Sequence, residues 1–238
     1  MRLNNMKITH ALAGFALSLT LVALPATAQR NAGDPNPGET FKDTSMLKPP
    51  AGVKIAIIEW QDLLCPACAH AFPIVHGAIA HYNIPLYEKD FTLPGHAAFG
   101  NMEGAVWARY LQDKVSTQIA DQYRGAVFAG QSGISSRDDM EAFTRRFFQT
   151  HGLRMPFVAD PTGEFAKEVL ADKALGTKLG IQYTPCIIVV TQHEWVHVTD
   201  VNLLYQTIDE ELAKVGGAST STKPAGTKPA GTTKKATH

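Results

Sequence analysis

The sequence predicts an α/β fold in which a small sheet is interrupted by a block of helices. Residues 54–60 form a nearly continuous apolar run rich in isoleucine, which is typical of a buried central strand. Residues 96–174 instead carry apolar side chains at helical spacing, and residues 187–190 return to a short β-branched run. The predicted order is therefore strand, helix, strand, helical block, hairpin and final helix.

The first predicted elements flank the apolar run. Residues 41–47 are expected to form a short edge strand, which Pro49 and Pro50 end because proline cannot donate to a sheet. A helix-compatible stretch covers residues 66–82, and Pro73 inside it predicts a kink.

The next strand is predicted over residues 84–91, where apolar and polar residues alternate weakly. Asp160 followed by Pro161 fits the cap and first turn of a helix in the inserted block. The periodicity of this block predicts helices around residues 96–112, 115–129, 136–151 and 161–174.

The last predicted elements are a hairpin and a helix. Residues 187–190 and 195–198 are expected to pair across the short polar turn between them. Residues 201–215 have the periodicity of an amphipathic helix, and Gly216 and Gly217 are expected to stop it.

The domain is predicted over residues 50–215, with different segments at both ends. Residues 1–28 have the basic start, apolar stretch and small-residue ending of a cleavable signal peptide, with a retained membrane anchor as the alternative. Residues 29–49 are interpreted as a lead-in, and residues 216–238, made of Lys, Pro, Ala, Gly, Thr and a few other residues, as a disordered tail. The protein is therefore expected to be exported, with the periplasm as its predicted location.

The charge pattern gives no support for nucleic-acid binding. Of the 22 basic residues, six lie in the signal and the tail, so the body carries 16 against 22 acidic residues, a net charge of −6. A mildly acidic body without a basic stripe does not fit a phosphate backbone, so no nucleic-acid partner is expected.

The chemistry is concentrated in the sequence Cys65-Pro66-Ala67-Cys68, at the junction of the first strand and the first helix. A helix start stabilises a thiolate, and a second cysteine two residues on can close a small ring and release a bound partner. Cys65 is therefore expected to attack and Cys68 to resolve. A structural zinc site is the alternative, but no second ligand pair has the motif spacing, so no metal is expected.

At these residues the chain resembles the DsbA family of exported thiol–disulfide oxidoreductases and their DsbA-like relatives. The resemblance covers about residues 50–215 and is carried by residues 59–68, 89–96 and 183–185. It implies an α/β, thioredoxin-like fold with the helical block, about 96–174, between the second strand and the strand that follows a cis-proline.

The resemblance also implies roles for residues outside the cysteine pair. Glu59 corresponds to a buried acid beneath the disulfide, which would have a raised pKa and relay the proton of Cys68. A solvent-facing carboxylate is the alternative. Pro185 corresponds to the family's cis-proline, which would expose the Thr184 backbone to an extended substrate, and an ordinary trans-proline is the alternative.

Two residues depart from the pattern of the best-known oxidases. Ala67 stands where those oxidases carry a histidine that stabilises the thiolate, although Pro66 matches them. Cys186 follows Pro185 and is predicted to be a buried thiol that packs as a small hydrophobe. A mixed disulfide or a regulatory thiol at Cys186 is the alternative.

The implied function is exchange of the Cys65–Cys68 disulfide with cysteines of exported proteins, as a disulfide donor in oxidative folding and without an organic cofactor. A membrane redox partner would recycle the protein. A disulfide reductase or isomerase is the competing hypothesis, but the stretch before Val53 is too short for the dimerisation domain of such relatives, so a monomer is expected. Two further hypotheses place a metal-binding chaperone or a binding module without turnover on the same scaffold.

Overall fold

The structure is a computed structural model that describes residues 41–217. The predicted signal peptide, most of the lead-in and nearly all of the predicted tail lie outside the described residues. The strands and helices in chain order are β1 (Ile55–Gln61), α1 (Pro66–Tyr82), β2 (Leu86–Asp90), α2 (Asn101–Lys114), α3 (Thr117–Gly130), α4 (Arg137–Thr150), α5 (Glu164–Leu179), β3 (Cys186–Thr191), β4 (Trp195–Val198) and α6 (Leu204–Gly217).

The four strands form one mixed sheet in the order β2-β1-β3-β4. Strand β1 pairs parallel with β2 and antiparallel with β3, and β3 pairs antiparallel with β4. Helices α2 to α5 lie between β2 and β3 in the chain, which confirms the predicted order of a sheet interrupted by a helical block.

Strand β1 is buried along its whole length because helices or loops cover both faces of the sheet. Ile57 faces α1 and α6, where it belongs to an apolar cluster with Val75 and Ile208. Ile58 and Trp60 face the opposite side, in a cluster that includes Leu179 at the end of α5. The alternation of a strand thus supplies two separate cores from one continuous apolar run.

Helix α5 approaches the sheet closely at Gly176. A Cβ atom at this position would lie 2.7 Å from a ring carbon of Phe91 and 2.9 Å from a ring carbon of Trp60. The indole nitrogen of Trp60 donates to the carbonyl oxygen of Asp172, one helical turn earlier, at 3.1 Å. The glycine therefore lets the helix lie directly on the aromatic side chains of β1 and of the chain after β2.

The helical block has its own core, and this core extends to α1, the helix that packs on the sheet. Its buried members include Leu111, Tyr123 and Phe148 from α2, α3 and α4, packed in one cluster with Cys65 and Cys68. The cysteine pair therefore lies where the sheet domain meets the block.

Serine caps begin two helices of the block. The Ser116 hydroxyl accepts from the amide of Ile119 at the start of α3, and the Ser136 hydroxyl accepts from the amide of Asp139 at the start of α4. These bonds satisfy amides that have no partner within the helix, which fixes where each helix starts.

The predicted edge strand at residues 41–47 is wrong. This segment forms no strand, and it holds a turn in which the Leu47 amide donates to the Thr44 carbonyl at 2.9 Å. Phe41 and Leu47 are buried against the sheet face that α5 covers. The apolar residues of the segment therefore cover the core without joining the sheet.

Two helix ends differ from the prediction. Helix α5 continues to Leu179 instead of ending near residue 174, because the left-handed residue that closes it is Gly180, at φ 102°. Gly216 and Gly217, expected to stop the last helix, are its final described residues. Within residues 41–217, no helix has both the length and the apolarity needed to cross a membrane.

Candidate active site

Cys65 occupies the N-cap position of α1, and Pro66 is the first residue of that helix. Proline suits this position because its missing N–H would have no partner in the helix and its φ angle is already helical. The Cys65 carbonyl accepts from the Ala69 amide at 3.1 Å, so the helix starts directly at the cysteine. The positive end of the helix therefore points at the Cys65 sulfur.

The two thiols of the pair have opposite acidities. The Cys68 thiol donates to the Cys65 sulfur, and this bond, together with the amides of Ala67 and Cys68, outweighs burial and lowers the pKa of Cys65 to about 5. Burial, the bond to Cys65 and the charge of its thiolate raise the pKa of Cys68 well above its usual range. Near neutral pH, Cys65 is therefore a thiolate and Cys68 a thiol.

The segment before β3 lies against the cysteine pair. The Thr184–Pro185 peptide bond is cis. The Cys65 sulfur lies 3.3 Å from the Thr184 carbonyl oxygen, so Thr184, which precedes Pro185, lies beside the predicted attacking sulfur.

Glu59 lies in β1 with only 1 % of its surface exposed, on the face that α1 covers. Among residues 41–217 its Oε1 atom has no hydrogen-bond partner. Burial and the negative charge of Glu88 on β2 raise the pKa of Glu59 to about 8, against the smaller opposing effect of Arg124. The structure thus places a largely protonated carboxyl group under the helix that carries Cys68.

Asp62 organises the loop that carries Cys65, a role that the sequence analysis did not assign. Its side chain is fully buried and accepts from the Leu64 amide at 2.8 Å, the Leu93 amide at 2.6 Å and the Asn101 side chain at 2.7 Å. The His96 ring nitrogen Nδ1 lies 3.2 Å from the same carboxylate. One carboxylate therefore ties the loop to the exit of β2 and to the start of α2.

Gln131, after α3, holds the same loop from the helical block. Its side-chain nitrogen donates to the carbonyls of Leu63 and Cys65, at 2.8 and 3.0 Å. Asp62 and His96 fall within the segments that carried the family resemblance, so that resemblance could have pointed to them. Nothing in the local sequence singles out Gln131.

Cys186 is buried on the sheet face opposite the cysteine pair. It belongs to the apolar cluster of Trp60 and Leu179, and its sulfur lies 3.7 Å from Nε2 of His197 on β4. Strand alternation had predicted a buried thiol here, and the structure places it in that environment with a histidine as neighbour.

Metal ligands are the other chemistry that cysteine and histidine could supply. In the part of the chain that the structure describes, no three His, Cys, Asp or Glu side chains are grouped so that they could hold a metal ion.

The geometry supports disulfide exchange at Cys65. A thiolate at a helix start is a good nucleophile and a good leaving group. Its neighbour Cys68 is close enough to share a proton with it, and a carboxyl group that titrates near neutral pH lies on the sheet beneath. Together these groups can open and close a ring between the two sulfurs.

No protein-family model and no curated protein matches the chain. Several solved structures do match it in fold. The alpha-DsbA1 protein of Wolbachia pipientis superposes with a TM-score of 0.58 at 15% identity, over 74% of this chain and 98% of that protein. The thiol-disulfide exchange protein alpha-DsbA2 of the same organism gives 0.53 at 17% identity, over 68% and 84%.

A periplasmic thioredoxin-like protein from Salmonella enterica serovar Typhimurium gives a TM-score of 0.54 at 15% identity, over 68% of this chain and 87% of that protein. At these identities the matches establish the fold, and they span most of both partners in each pair. The chain therefore has the thioredoxin-like fold of the DsbA and DsbA-like thiol–disulfide oxidoreductases, with a helical block inserted between β2 and β3.

Proposed function

We propose that the protein is an exported thiol–disulfide oxidoreductase that donates the Cys65–Cys68 disulfide to cysteines of exported proteins during oxidative folding. The observation that carries this proposal is the opposite acidity of the two thiols, with the pKa of Cys65 lowered to about 5. A stabilised thiolate favours the reduced form of the pair, so the disulfide form is the more oxidising.

The donor reaction balances in two exchanges. A substrate thiolate attacks the Cys65 sulfur, the bond between Cys65 and Cys68 breaks, and Cys68 leaves as a thiolate that takes a proton. The substrate's second thiolate then attacks the mixed disulfide, and Cys65 leaves as a thiolate. The substrate's two thiols are oxidised to a disulfide, and the cysteine pair gains the two electrons.

Glu59 is the proposed source of the proton that Cys68 takes. It lies under α1 with a pKa of about 8, so near neutral pH most Glu59 side chains hold a proton that can be given up. In the reverse direction, when the pair is reoxidised, Glu59 in its carboxylate form accepts the proton of Cys68.

Thr184 and Pro185 are the proposed contact for the substrate chain. The Thr184 carbonyl lies 3.3 Å from the Cys65 sulfur, so a substrate strand paired with this backbone would bring its own cysteine to the reacting atom. The proposed location is the periplasm, which the N-terminal sequence and the fold likeness to a periplasmic thioredoxin-like protein support. Reoxidation requires a redox partner, for which a membrane protein is proposed, and the protein is proposed to act as a monomer.

The reduction potential of the pair tests the donor assignment. The protein is equilibrated in glutathione buffers, and its free thiols are mass-tagged and counted. A value near about −120 mV, as for DsbA, is expected for a donor, whereas a value near about −270 mV, as for thioredoxin, would contradict it. Ala67→His is the matched variant, and we expect it to make the reduction potential less negative, so that the disulfide becomes a stronger oxidant.

A disulfide reductase or isomerase is the second candidate, because Ala67 replaces the histidine of the best-known oxidases. It predicts a reducing potential and faster repair of a scrambled disulfide substrate than oxidation of a reduced one. A metal-binding chaperone would instead retain stoichiometric metal on purification, with thiols protected from alkylation.

A further inference from the structure

We propose that Glu88, His76 and Asp121 carry protons between the buried Glu59 and solvent, through a groove at the β2 edge of the sheet. The inference rests on the proposed function, in which Glu59 exchanges a proton with Cys68. These three side chains are positioning residues that act through Glu59, because none of them contacts the reacting sulfurs.

The need for a route follows from the burial of Glu59. Near neutral pH most Glu59 side chains hold a proton, so Glu59 must release that proton to solvent before it can accept the proton of Cys68 in ring closure, yet its side chain is 1 % exposed. Its neighbour on one side is Ile187 of β3, and the helix above this sheet face contributes Ala71 and Val75 to an apolar cluster. These apolar side chains cannot carry a proton from Glu59 to solvent.

On the other side the neighbour of Glu59 is Glu88. The two residues are paired in register on parallel strands, so their side chains lie on the same face of the sheet. Two carboxylates at adjacent buried positions repel each other, which favours a state in which one of them holds a proton. Glu88 is therefore placed to exchange a proton with Glu59.

The charges around the two carboxyl groups are unequal. The guanidinium of Arg124 lies 3.5 Å from Glu88, and the Gln61 side chain donates to Glu88 at 2.9 Å. Burial opposes ionisation of Glu88, but Arg124 and His76 outweigh it and lower the pKa of Glu88. The proton of the pair therefore rests on Glu59, and Glu88 is a carboxylate able to accept it in passing.

Two titratable side chains, on different helices, lie beside Glu88 on its solvent side. Nε2 of His76 on α1 lies 3.8 Å from Glu88, and Asp121 on α3 lines the same groove as Glu88. Burial and the charge of Glu88 raise the pKa of Asp121 above that of an ordinary aspartate.

These three residues line one groove with a volume of about 380 Å³, which is open to solvent beside β2. The side chains of His76 and Glu88 are 24% and 14% exposed. Arg109 and Lys89 also line the groove, but both are paired with Asp172. The groups around the Glu88 carboxylate are therefore Arg124, Gln61, His76 and Asp121. The buried acid is thus connected to water by groups that can each gain or lose a proton.

The test measures ring closure, the step in which Cys68 must lose its proton. Reduced protein is mixed with glutathione disulfide, and the conversion of the Cys65–glutathione mixed disulfide to the Cys65–Cys68 ring is followed by acid quench and mass spectrometry. We expect His76→Ala and Glu88→Gln to slow closure about tenfold, less than the roughly 10²–10⁴-fold of a lost general base, because both residues act only through Glu59. His81→Ala is the control, because it removes an exposed histidine from the same helix, away from Glu88.

Added imidazole separates a proton route from a structural effect. In His76→Ala, imidazole can enter the groove and replace the lost side chain, so closure is expected to accelerate with imidazole concentration, whereas Glu59→Gln is expected not to respond. His76→Gln serves in place of His76→Ala if the alanine variant fails to fold. Wild-type closure rates in both His76→Ala and Glu88→Gln, or slow closure in the His76 variant that imidazole does not restore, would overturn the route.

Glu59→Gln distinguishes failure of the route from failure of the proposed function. Slow closure in Glu59→Gln with normal closure in the groove variants would leave Glu59 as the acid and discard only the route. Normal closure in Glu59→Gln would discard both the route and the role of Glu59, whereas the reduction potential of the cysteine pair would still decide the donor assignment.

Discussion

The Cys65 sulfur lies 3.3 Å from the carbonyl oxygen of Thr184, although 119 positions separate the two residues in the chain. The carbonyl can accept from Cys65 only while the sulfur carries a proton. Above a pH of about 5 the sulfur is mostly a thiolate, and the carbonyl is then available to an N–H group of an approaching chain. Ionisation of Cys65 therefore releases the Thr184 carbonyl, the proposed substrate contact, from its hydrogen bond with the sulfur.

Trapping of partners should show which cysteine forms the mixed disulfide. Cys68→Ala removes the thiol that closes the ring, so substrate proteins are expected to stay linked to Cys65 and to appear as adducts on a non-reducing gel. Adding Cys65→Ser should abolish every adduct. Cys186→Ala is the control and should leave the adducts unchanged, whereas adducts that depend on Cys186 would contradict the assignment.

The reactivity of Cys65 should follow its lowered pKa. The rate of alkylation of reduced protein by iodoacetamide is expected to be half-maximal near pH 5, whereas an unperturbed thiol reaches this point near pH 9.

Because the folded pKa lies below the unfolded one, the thiolate stabilises the reduced protein fully above about pH 9, and this stability falls as pH drops to about 5. Urea unfolding of the reduced protein measures the second effect, and the disulfide form, which lacks the thiolate, is the control.

Glu59 should make the stability depend on pH in the opposite direction. Its folded pKa, about 8, lies above the ordinary value of 4.5. The free energy of unfolding therefore falls as pH rises through this interval. Glu59→Gln is expected to raise the free energy of unfolding at pH 8 by on the order of 2 kcal/mol, with little change at pH 5. Glu141→Gln, at an exposed position, is the control, and an equal effect of Glu59→Gln at both pH values would argue against a buried neutral acid.

Asp62 should matter for both stability and redox chemistry. Asp62→Ala leaves the amides of Leu64 and Leu93 and the side chain of Asn101 without their acceptor. We expect a loss of roughly 2–4 kcal/mol in the free energy of unfolding, together with a changed reduction potential, because the loop before Cys65 is released. The comparison is Asp138→Ala, an exposed aspartate of α4, and wild-type stability of the Asp62 variant would refute the role of this carboxylate.

Local sequence patterns predicted most of the fold. Helix α1 and strand β4 have the predicted bounds, because a proline at the first helical position and a short polar turn before a strand are local signals. The segment at 41–47 has an apolar composition similar to that of an edge strand, and only its turn and its contacts with the sheet face decide against a strand. Composition could not distinguish these two ways of burying Phe41 and Leu47.

The candidate site was predicted where the chemistry is local and missed where it depends on tertiary contacts. The spacing of Cys65 and Cys68 points to disulfide exchange by itself. The hydrogen bonds from Gln131 to the carbonyls of Leu63 and Cys65 join positions far apart in sequence, and no local pattern contains them. The pairing of Glu59 with Glu88 likewise requires the register of two strands, which composition does not supply.

The position of Cys186 has a consequence for the fidelity of the chemistry. The chain contains three cysteines, and a three-thiol protein could in principle close any of three rings. Cys186 faces the cluster of Trp60 and Leu179 on one side of the sheet, whereas Cys68 belongs to the helix that covers the other side. The sheet lies between these two side chains, so Cys186 and Cys68 do not face each other, and the thiol placed to form a ring with Cys68 is that of Cys65.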